Sequence, residues 1–149
     1  MREKIEVINY CLSLVETKLL ELKTQNNLIQ QSANNETKSS AGDKYETARA
    51  MAQLEMDKLQ RQIWEQEKIQ QSLQNVLQYS NFELVRNGAL LVCNQFSILI
   101  AASIGEIFYE NTRYLILSSE SPLAKKLMNL KAGDAFDFLN EKVEIKAIY

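Results

Sequence analysis

Apolar residues recur at a regular spacing along the first part of the chain. From Ile5 onward the steps between them are three, four, three, four and three, and Asn26 occupies a later position of the same series. This is the heptad spacing of a helix that presents a narrow apolar stripe to another helix. No glycine or proline interrupts residues 1–41, so one long helix is predicted there. Its stripe comprises Ile5, Ile8, Leu12, Val15, Leu19, Leu22 and Ile29.

A second stripe of this kind follows the turn-forming segment NNETKSSAGD at residues 34–43. Its other faces carry Lys, Arg, Glu and Gln, as the solvated flanks of a coiled coil do. Two helices joined by a short connection run antiparallel, so residues 1–80 are predicted to form a coiled-coil hairpin. About 35 residues in each arm correspond to roughly 50 Å. The second stripe comprises Tyr45, Ala48, Ala52, Met56, Leu59, Ile63, Gln66, Leu73 and Leu77.

Short apolar segments replace the heptad spacing after Tyr79. The most apolar stretch, residues 88–108, is divided by Asn94 and Gln95 into two pieces of strand length. This division favours a buried hairpin over a membrane-spanning helix. A further turn is predicted near Glu110. The predicted strands are residues 89–93, 96–103, 113–117, 136–138 and 143–148.

A short helix is predicted among these strands. Ser121 is a suitable N-cap, Pro122 suits the first helical position, and Gly133 lies in the turn beyond the helix end. The fold class is therefore α+β. An antiparallel helical hairpin at residues 1–80 precedes a small α+β domain at residues 81–149.

Composition excludes several kinds of site. The chain has no histidine, which removes Ser-His-Asp and Cys-His nucleophiles and every histidine-containing metal site. A net charge of −2 gives no general attraction to nucleic acid. Cys11 and Cys93 are far apart in sequence, as reduced thiols of a cytosolic protein often are. The first ten residues begin charged and lack an apolar core, so we expect a cytoplasmic protein without a signal peptide.

Two motifs, in this order, resemble those of the Gre transcript-cleavage factors, which bind bacterial RNA polymerase. The first is GDKYETA at residues 42–48, matching the family's Gly-Asp, two residues, Glu, and an alanine two further on. The second comprises SPLA at residues 121–124, Leu127, and KAGD at residues 131–134. The resemblance spans most of the chain. It implies a coiled coil with an acidic tip, followed by an FKBP-like domain.

The resemblance implies that the tip enters the secondary channel of RNA polymerase, where Asp43 and Glu46 act as catalytic and metal-ligating residues. Three apart on a first helical turn, these carboxylates lie on the same side and can offer oxygens to one Mg²⁺. Such an ion, weakly held at the polymerase active centre, could orient water against a phosphodiester of backtracked RNA. The metal would be shared with the polymerase. The isolated protein is expected to be a monomer that binds no metal, contacts RNA only indirectly, and is not itself an enzyme.

Other residues are candidates for contact with the polymerase. In the family, the region matching Ser121 and Pro122 lies near the polymerase contact, so the resemblance implies docking there and at the neighbouring Leu123. Lys44 and Arg49, near the predicted tip, could face RNA or channel carboxylates. Ordinary solvated charges are the simpler interpretation of these two cations.

Alternative interpretations remain open at this point. Asp43 at an N-cap with Glu46 at N3 is a capping-box arrangement, which needs no chemistry beyond starting a helix. Arg49 stands where the family has an acidic residue, so the protein could instead be a secondary-channel regulator or inhibitor without cleavage activity. A structural coiled-coil adaptor or a prefoldin-like holdase also uses helical hairpins. In prefoldins, however, the strands lie between the helices.

Overall fold

The computed structural model describes residues 2–36 and 42–149, without the side chains of Glu36, Asp43 and Tyr45. The helices are α1 (Arg2–Glu36), α2 (Gly42–Val76) and α3 (Pro122–Leu127). The strands are β1 (Leu90–Cys93), β2 (Ser97–Ile100), β3 (Gly105–Tyr109), β4 (Thr112–Leu117), β5 (Ala135–Phe138) and β6 (Glu141–Ile148). The α+β class is therefore as predicted.

The chain divides into two compact units. One comprises Met1–Leu12 and Gln71–Tyr149, and the other comprises Ser13–Gln70. We call them the sheet unit and the helical unit. The boundary at residue 80 that the sequence suggests stays a prediction. In the described part of the chain, no helix combines the length and the apolar character that crossing a membrane requires.

The helical unit buries residues of both predicted stripes. The buried side chains are Val15, Leu19 and Leu22 of α1, and Leu59 and Ile63 of α2.

Pairing within the helical unit is antiparallel. The Lys23 ammonium lies 3.6 Å from the Glu67 carboxylate. Further along α1, Ser32 lines a shallow groove together with Ala48 of α2. Residues later in α1 therefore lie beside residues earlier in α2, which is the arrangement of antiparallel helices. The predicted seam position Asn26 has a buried Oδ1 atom with no hydrogen-bond partner among the described residues. This unpaired polar atom in the seam lowers the stability of the folded chain, because burying a polar group without a hydrogen bond costs free energy.

The sheet unit is built on a six-stranded mixed sheet with the order β3-β4-β2-β1-β6-β5. The predicted hairpin around Asn94 and Gln95 is confirmed, because β1 and β2 pair antiparallel with Leu91 opposite Ile98. Strands β2 and β4 are parallel, and the remaining neighbouring pairs are antiparallel. The core contains fully buried side chains from the sheet and α3, among them Leu91, Ile98, Ile100, Leu127 and Ile145.

Strand β3 was not among the predicted strands. It is an edge strand in which Ile107 is buried while Phe108 is exposed, so its apolar residues do not alternate with polar ones as those of a half-buried strand do. Its pairing with β4, with Ile107 opposite Tyr114, defines it as a strand.

The first turns of α1 are attached within the sheet unit by side-chain contacts. The Tyr114 hydroxyl donates a hydrogen bond of 2.7 Å to the Glu3 carboxylate, and burial followed by this bond raises the pKa of Tyr114. The Tyr10 and Tyr109 rings pack with their centroids 5.0 Å apart. The start of α1 is thereby held against β3 and β4.

Candidate functional site

The predicted acidic pair lies in the first turns of α2. This helix begins at Gly42, one residue before Asp43. The Asp43 side chain lies outside the described residues. Glu46 is exposed, three residues further along the same helix. Its carboxylate is accessible to a ligand that approaches from solvent.

Two cationic side chains flank Glu46 on α2, and both are exposed. Arg49 follows Glu46 by three residues, which places the two on neighbouring positions of one helix side. Lys44 precedes Glu46 by two residues and therefore points to a different side. Arg49 is thus the cation that can weaken the negative potential at the Glu46 carboxylate.

Carboxylates at this helix start are suited to a hard divalent cation. Mg²⁺ prefers oxygen ligands in near-octahedral geometry and usually keeps several waters. Within the described residues, no group of three or more His, Cys, Asp or Glu side chains could hold a metal. Two carboxylates would fill only part of a Mg²⁺ shell. A metal here therefore requires further ligands from water, nucleic acid or another protein.

Buried thiols do not add a nucleophile to this chemistry. Cys11 and Cys93 are free and buried, as the sequence predicted for reduced thiols. Burial raises the pKa of each to about 11, so both remain protonated at neutral pH.

The second predicted motif forms the start of α3, and the helix signals are confirmed. The Ser121 Oγ accepts a hydrogen bond of 3.2 Å from the Ala124 N–H, and Pro122 occupies the first helical position. Ala124 and Leu127 are fully buried in the sheet core. The folding roles of these four residues account for their positions without any binding partner.

The KAGD part of the motif forms the turn that leads into β5. The Asp134 carboxylate accepts a hydrogen bond of 2.9 Å from the Lys131 N–H. Gly133 has a φ of +93°, a left-handed conformation that favours glycine, and its N–H donates to the Ile145 carbonyl at 2.8 Å. This turn fixes the start of β5 against β6.

The surface of α3 leaves specific side chains available for contact. Pro122 is exposed, whereas Leu123 is partly buried against the core and Ser121 uses its hydroxyl in the cap. Lys125 and Lys126 are also exposed, and Lys125 lies 3.5 Å from the Glu120 carboxylate. Of the three predicted docking residues at the start of α3, Pro122 is the exposed one.

Lys4 is a notable group that sequence reasoning did not identify. Its side chain is only 2% exposed, and Nζ donates a hydrogen bond of 2.7 Å to the Tyr79 carbonyl. The same ammonium lies 4.5 Å from the centroid of the Phe82 ring, and burial lowers the pKa of Lys4 to about 8. Tyr79 and Phe82 also line an open cavity of about 640 Å³. A charged residue in an otherwise amphipathic helix gives no sequence signal of such burial.

The residues at the start of α2 thus offer carboxylate oxygens, and the start of α3 offers an ordered, partly apolar surface. Comparisons with models of protein families, with curated proteins and with solved structures found no match to this chain. The functional interpretation of the starts of α2 and α3 therefore depends on the residues found there and on the order in which the two motifs occur.

Proposed function

We propose that this protein is a Gre-type transcription elongation factor that binds RNA polymerase and promotes cleavage of backtracked RNA. The observation that carries the proposal is the motif GDKYETA at the start of α2, with Glu46 exposed on the second of two antiparallel 35-residue helices. The second motif, at residues 121–134, supports it by occurring on the helix and turn expected for it. In this proposal the sheet and α3 form an FKBP-like domain.

The carboxylates of Asp43 and Glu46 would act inside the secondary channel of the polymerase. They would hold a metal ion whose remaining ligands would come from the polymerase, water and RNA phosphate. When bound there, Mg²⁺ lowers the pKa of a coordinated water and so supplies the nucleophile for phosphodiester hydrolysis. The chain contributes ligands and position, and the polymerase contributes the active centre and the substrate. The protein is accordingly a cofactor of the polymerase reaction.

Docking would use the start of α3. The exposed ring of Pro122 and the accessible part of Leu123 provide apolar contact, while Ser121 holds the helix start in place. Lys44 and Arg49 would face acidic groups or RNA within the channel. The proposal further implies a cytoplasmic monomer that reaches RNA only through the polymerase.

A second candidate function is inhibition through the same channel. It is favoured by the exposed Arg49, which lies three residues after Glu46 on the same side of α2. The positive charge of Arg49 weakens the negative potential at the Glu46 carboxylate. A bound factor with a weakened metal site would occlude the channel without stimulating cleavage.

RNA cleavage by stalled elongation complexes separates these functions. The double variant Asp43→Asn, Glu46→Gln should bind the polymerase as the wild type does but cleave at least about tenfold more slowly. Glu55→Gln changes an exposed glutamate further along α2 and serves as the matched control, with cleavage expected to be unchanged.

Full-rate cleavage by the double variant would show that the carboxylates do not ligate the metal. Binding of the wild type without cleavage would support the inhibitor. Absence of binding to the polymerase would contradict both candidates and leave a structural coiled-coil adaptor.

A further inference from the structure

The segment that follows α2 forms an open cavity in the sheet unit. Residues 78–84, 86 and 87 line it, and its volume is about 640 Å³. Small-molecule sites typically occupy roughly 300 to 1,000 Å³, so a ligand of moderate size fits this space. The starts of α2 and α3, which carry the proposed contacts with RNA polymerase, contribute no described residue to this lining.

Close packing on a glycine holds the cavity wall in place. Gly88 follows the lining segment, is buried, and has a φ of +90°. A Cβ atom added there would lie 2.8 Å from the Tyr79 ring and 3.4 Å from the Phe82 ring, so both rings pack directly on the glycine. The Gly88 N–H donates a hydrogen bond of 2.6 Å to the Ile100 carbonyl at the end of β2. The wall is therefore attached to the sheet, as in a pre-formed ligand site.

Two cations at this cavity lack a carboxylate partner. Arg86 is exposed and lines the cavity. Lys4 is buried behind the lining, where its Nζ atom contacts the Tyr79 carbonyl and the Phe82 ring, and both of these residues belong to the cavity wall. None of the ion pairs among the described residues includes Arg86 or Lys4. A buried charge without a counter-ion is costly, so an anion in the cavity would stabilise the Lys4 ammonium.

A third charge at the cavity restricts the kind of anion. Glu83 is exposed and lines the same space, so it opposes the two cations with one negative charge. A ligand with a single negative charge fits this balance, whereas Glu83 would repel a phosphate dianion more strongly. The Arg86 guanidinium can donate two parallel hydrogen bonds to a planar carboxylate. The charges therefore favour a monocarboxylate.

Aromatic surface in the wall favours a flat ring as the body of this ligand. Tyr79 remains 43% exposed although it packs on Gly88, so part of its ring is accessible to a ligand. Aromatic rings associate in offset-stacked or edge-to-face arrangements. Asn81 and Asn87 are exposed in the same wall, and their amides provide hydrogen-bonding groups. A carboxylate attached to an aromatic ring would use both the charged and the aromatic parts of the wall.

We propose that this cavity, the post-α2 cavity, binds a small aromatic carboxylate. The ligand carboxylate pairs with Arg86 and lies within the field of the Lys4 ammonium, while the ligand ring stacks on Tyr79. The site is separate from the contacts proposed with RNA polymerase and does not depend on them.

Titration of isotopically labelled protein with benzoate, followed by NMR, tests this proposal. The backbone amide signals of residues 78–87 should shift and saturate, with a dissociation constant on the order of 1 mM because so few ligand atoms make contact. Benzamide has the same shape without the charge, and acetate has the charge without the ring. Each should bind at least roughly fivefold more weakly than benzoate.

Isosteric variants at the cavity separate recognition from folding. Arg86→Gln should weaken benzoate binding roughly tenfold, because charge-assisted hydrogen bonds are lost. Lys4→Met should weaken it roughly threefold, because a cation is removed, and Glu83→Gln should tighten it roughly threefold, because a repulsive charge is removed. Damage to the fold would not produce the tighter binding. Arg61→Gln removes an exposed arginine of the helical unit that does not line the cavity, and should leave affinity unchanged.

Three results would overturn this inference. The first is the absence of saturable benzoate shifts at residues 78–87, and the second is equal affinity for benzoate and benzamide. The third is weaker binding of benzoate by Glu83→Gln, which would contradict the charge balance of the cavity. None of these results bears on polymerase binding or RNA cleavage, so each would leave the proposed function standing. Failure of the protein to bind polymerase would likewise leave this inference standing.

Discussion

Replacing Lys4 with methionine probes the buried ammonium of the sheet unit. Lys4 is 2% exposed, and no carboxylate of the described residues forms an ion pair with it. Its Nζ atom contacts the Tyr79 carbonyl and the Phe82 ring. Burial lowers its pKa from 10.5 to about 8. The folded protein therefore binds this proton less tightly than the unfolded chain does.

The lowered pKa makes stability depend on pH. Below pH 8, Lys4 is protonated in both states, and the full cost of the buried charge is present. Between pH 8 and pH 10.5 the unfolded state binds more protons, so the free energy of unfolding rises with pH. At about 1.4 kcal/mol per pKa unit, the shift from 10.5 to about 8 corresponds to about 3 kcal/mol. Most of this should be recovered by pH 10, where the folded state has lost the proton and the unfolded state largely keeps it.

Urea unfolding of the wild type and Lys4→Met at pH 7 and pH 10 measures this effect. The difference in unfolding free energy, wild type minus variant, should move in favour of the wild type by roughly 2 to 3 kcal/mol between the two conditions. Other titrating groups are common to both proteins and cancel. The unpaired Tyr79 carbonyl in the variant adds a cost that does not depend on the Lys4 proton.

Lys126→Met removes an exposed lysine of the same unit and is the matched control, with no change expected between the two pH values. A Lys4 difference that stays constant from pH 7 to pH 10 would refute the interpretation of a desolvated ammonium.

Three further predictions concern stability. Asn26→Leu should raise the free energy of unfolding by about 1 kcal/mol, because the buried Asn26 Oδ1 has no hydrogen-bond partner among the described residues; a loss of stability in urea unfolding would contradict this. Gly133→Ala should cost about 1 kcal/mol from its φ of +93° alone, since an added Cβ meets open space. Gly88→Ala should cost at least about 2 kcal/mol, because its φ is +90° and a Cβ would lie 2.8 Å from the Tyr79 ring. Equal thermal shifts for the two alanine variants would show that contact with Tyr79 does not matter.

The sequence predicted those parts of the fold that depend on local pattern. Heptad spacing predicted the helices because the residues that define it are the ones a helix buries on one side. In α1 the side chains of Val15, Leu19 and Leu22 belong to the predicted stripe and are buried. The turn at Asn94 and Gln95 predicted the β1–β2 hairpin, since antiparallel strands need only a short connection.

Features that depend on distant residues were not predictable in this way. The parallel pairing of β2 with β4 involves strands separated by β3, and the burial of Lys4 arises from Tyr79 and Phe82, more than 70 positions away. The turn at Leu139 and Asn140 was not predicted, because turn rules favour a polar residue or glycine at the position of Leu139.

The candidate site was predictable as a motif but not as a geometry. Residue spacing placed Asp43 and Glu46 at a helix start, and the helix does begin there, one residue before Asp43. The capping-box assignment stays a prediction, because it depends on the Asp43 side chain, which lies outside the described residues. In the proposed function, the ligands that would complete a metal site belong to another molecule, so no pattern within this chain could define them.

The Mg²⁺ dependence of RNA cleavage tests most directly whether Asp43 and Glu46 supply ligands to a shared metal ion. Cleavage by stalled elongation complexes is followed across a Mg²⁺ titration, without the protein, with the wild type, and with the double variant Asp43→Asn, Glu46→Gln. We predict that the wild type lowers the Mg²⁺ concentration for half-maximal cleavage and that the double variant does not. An identical Mg²⁺ requirement in all three titrations would contradict the account.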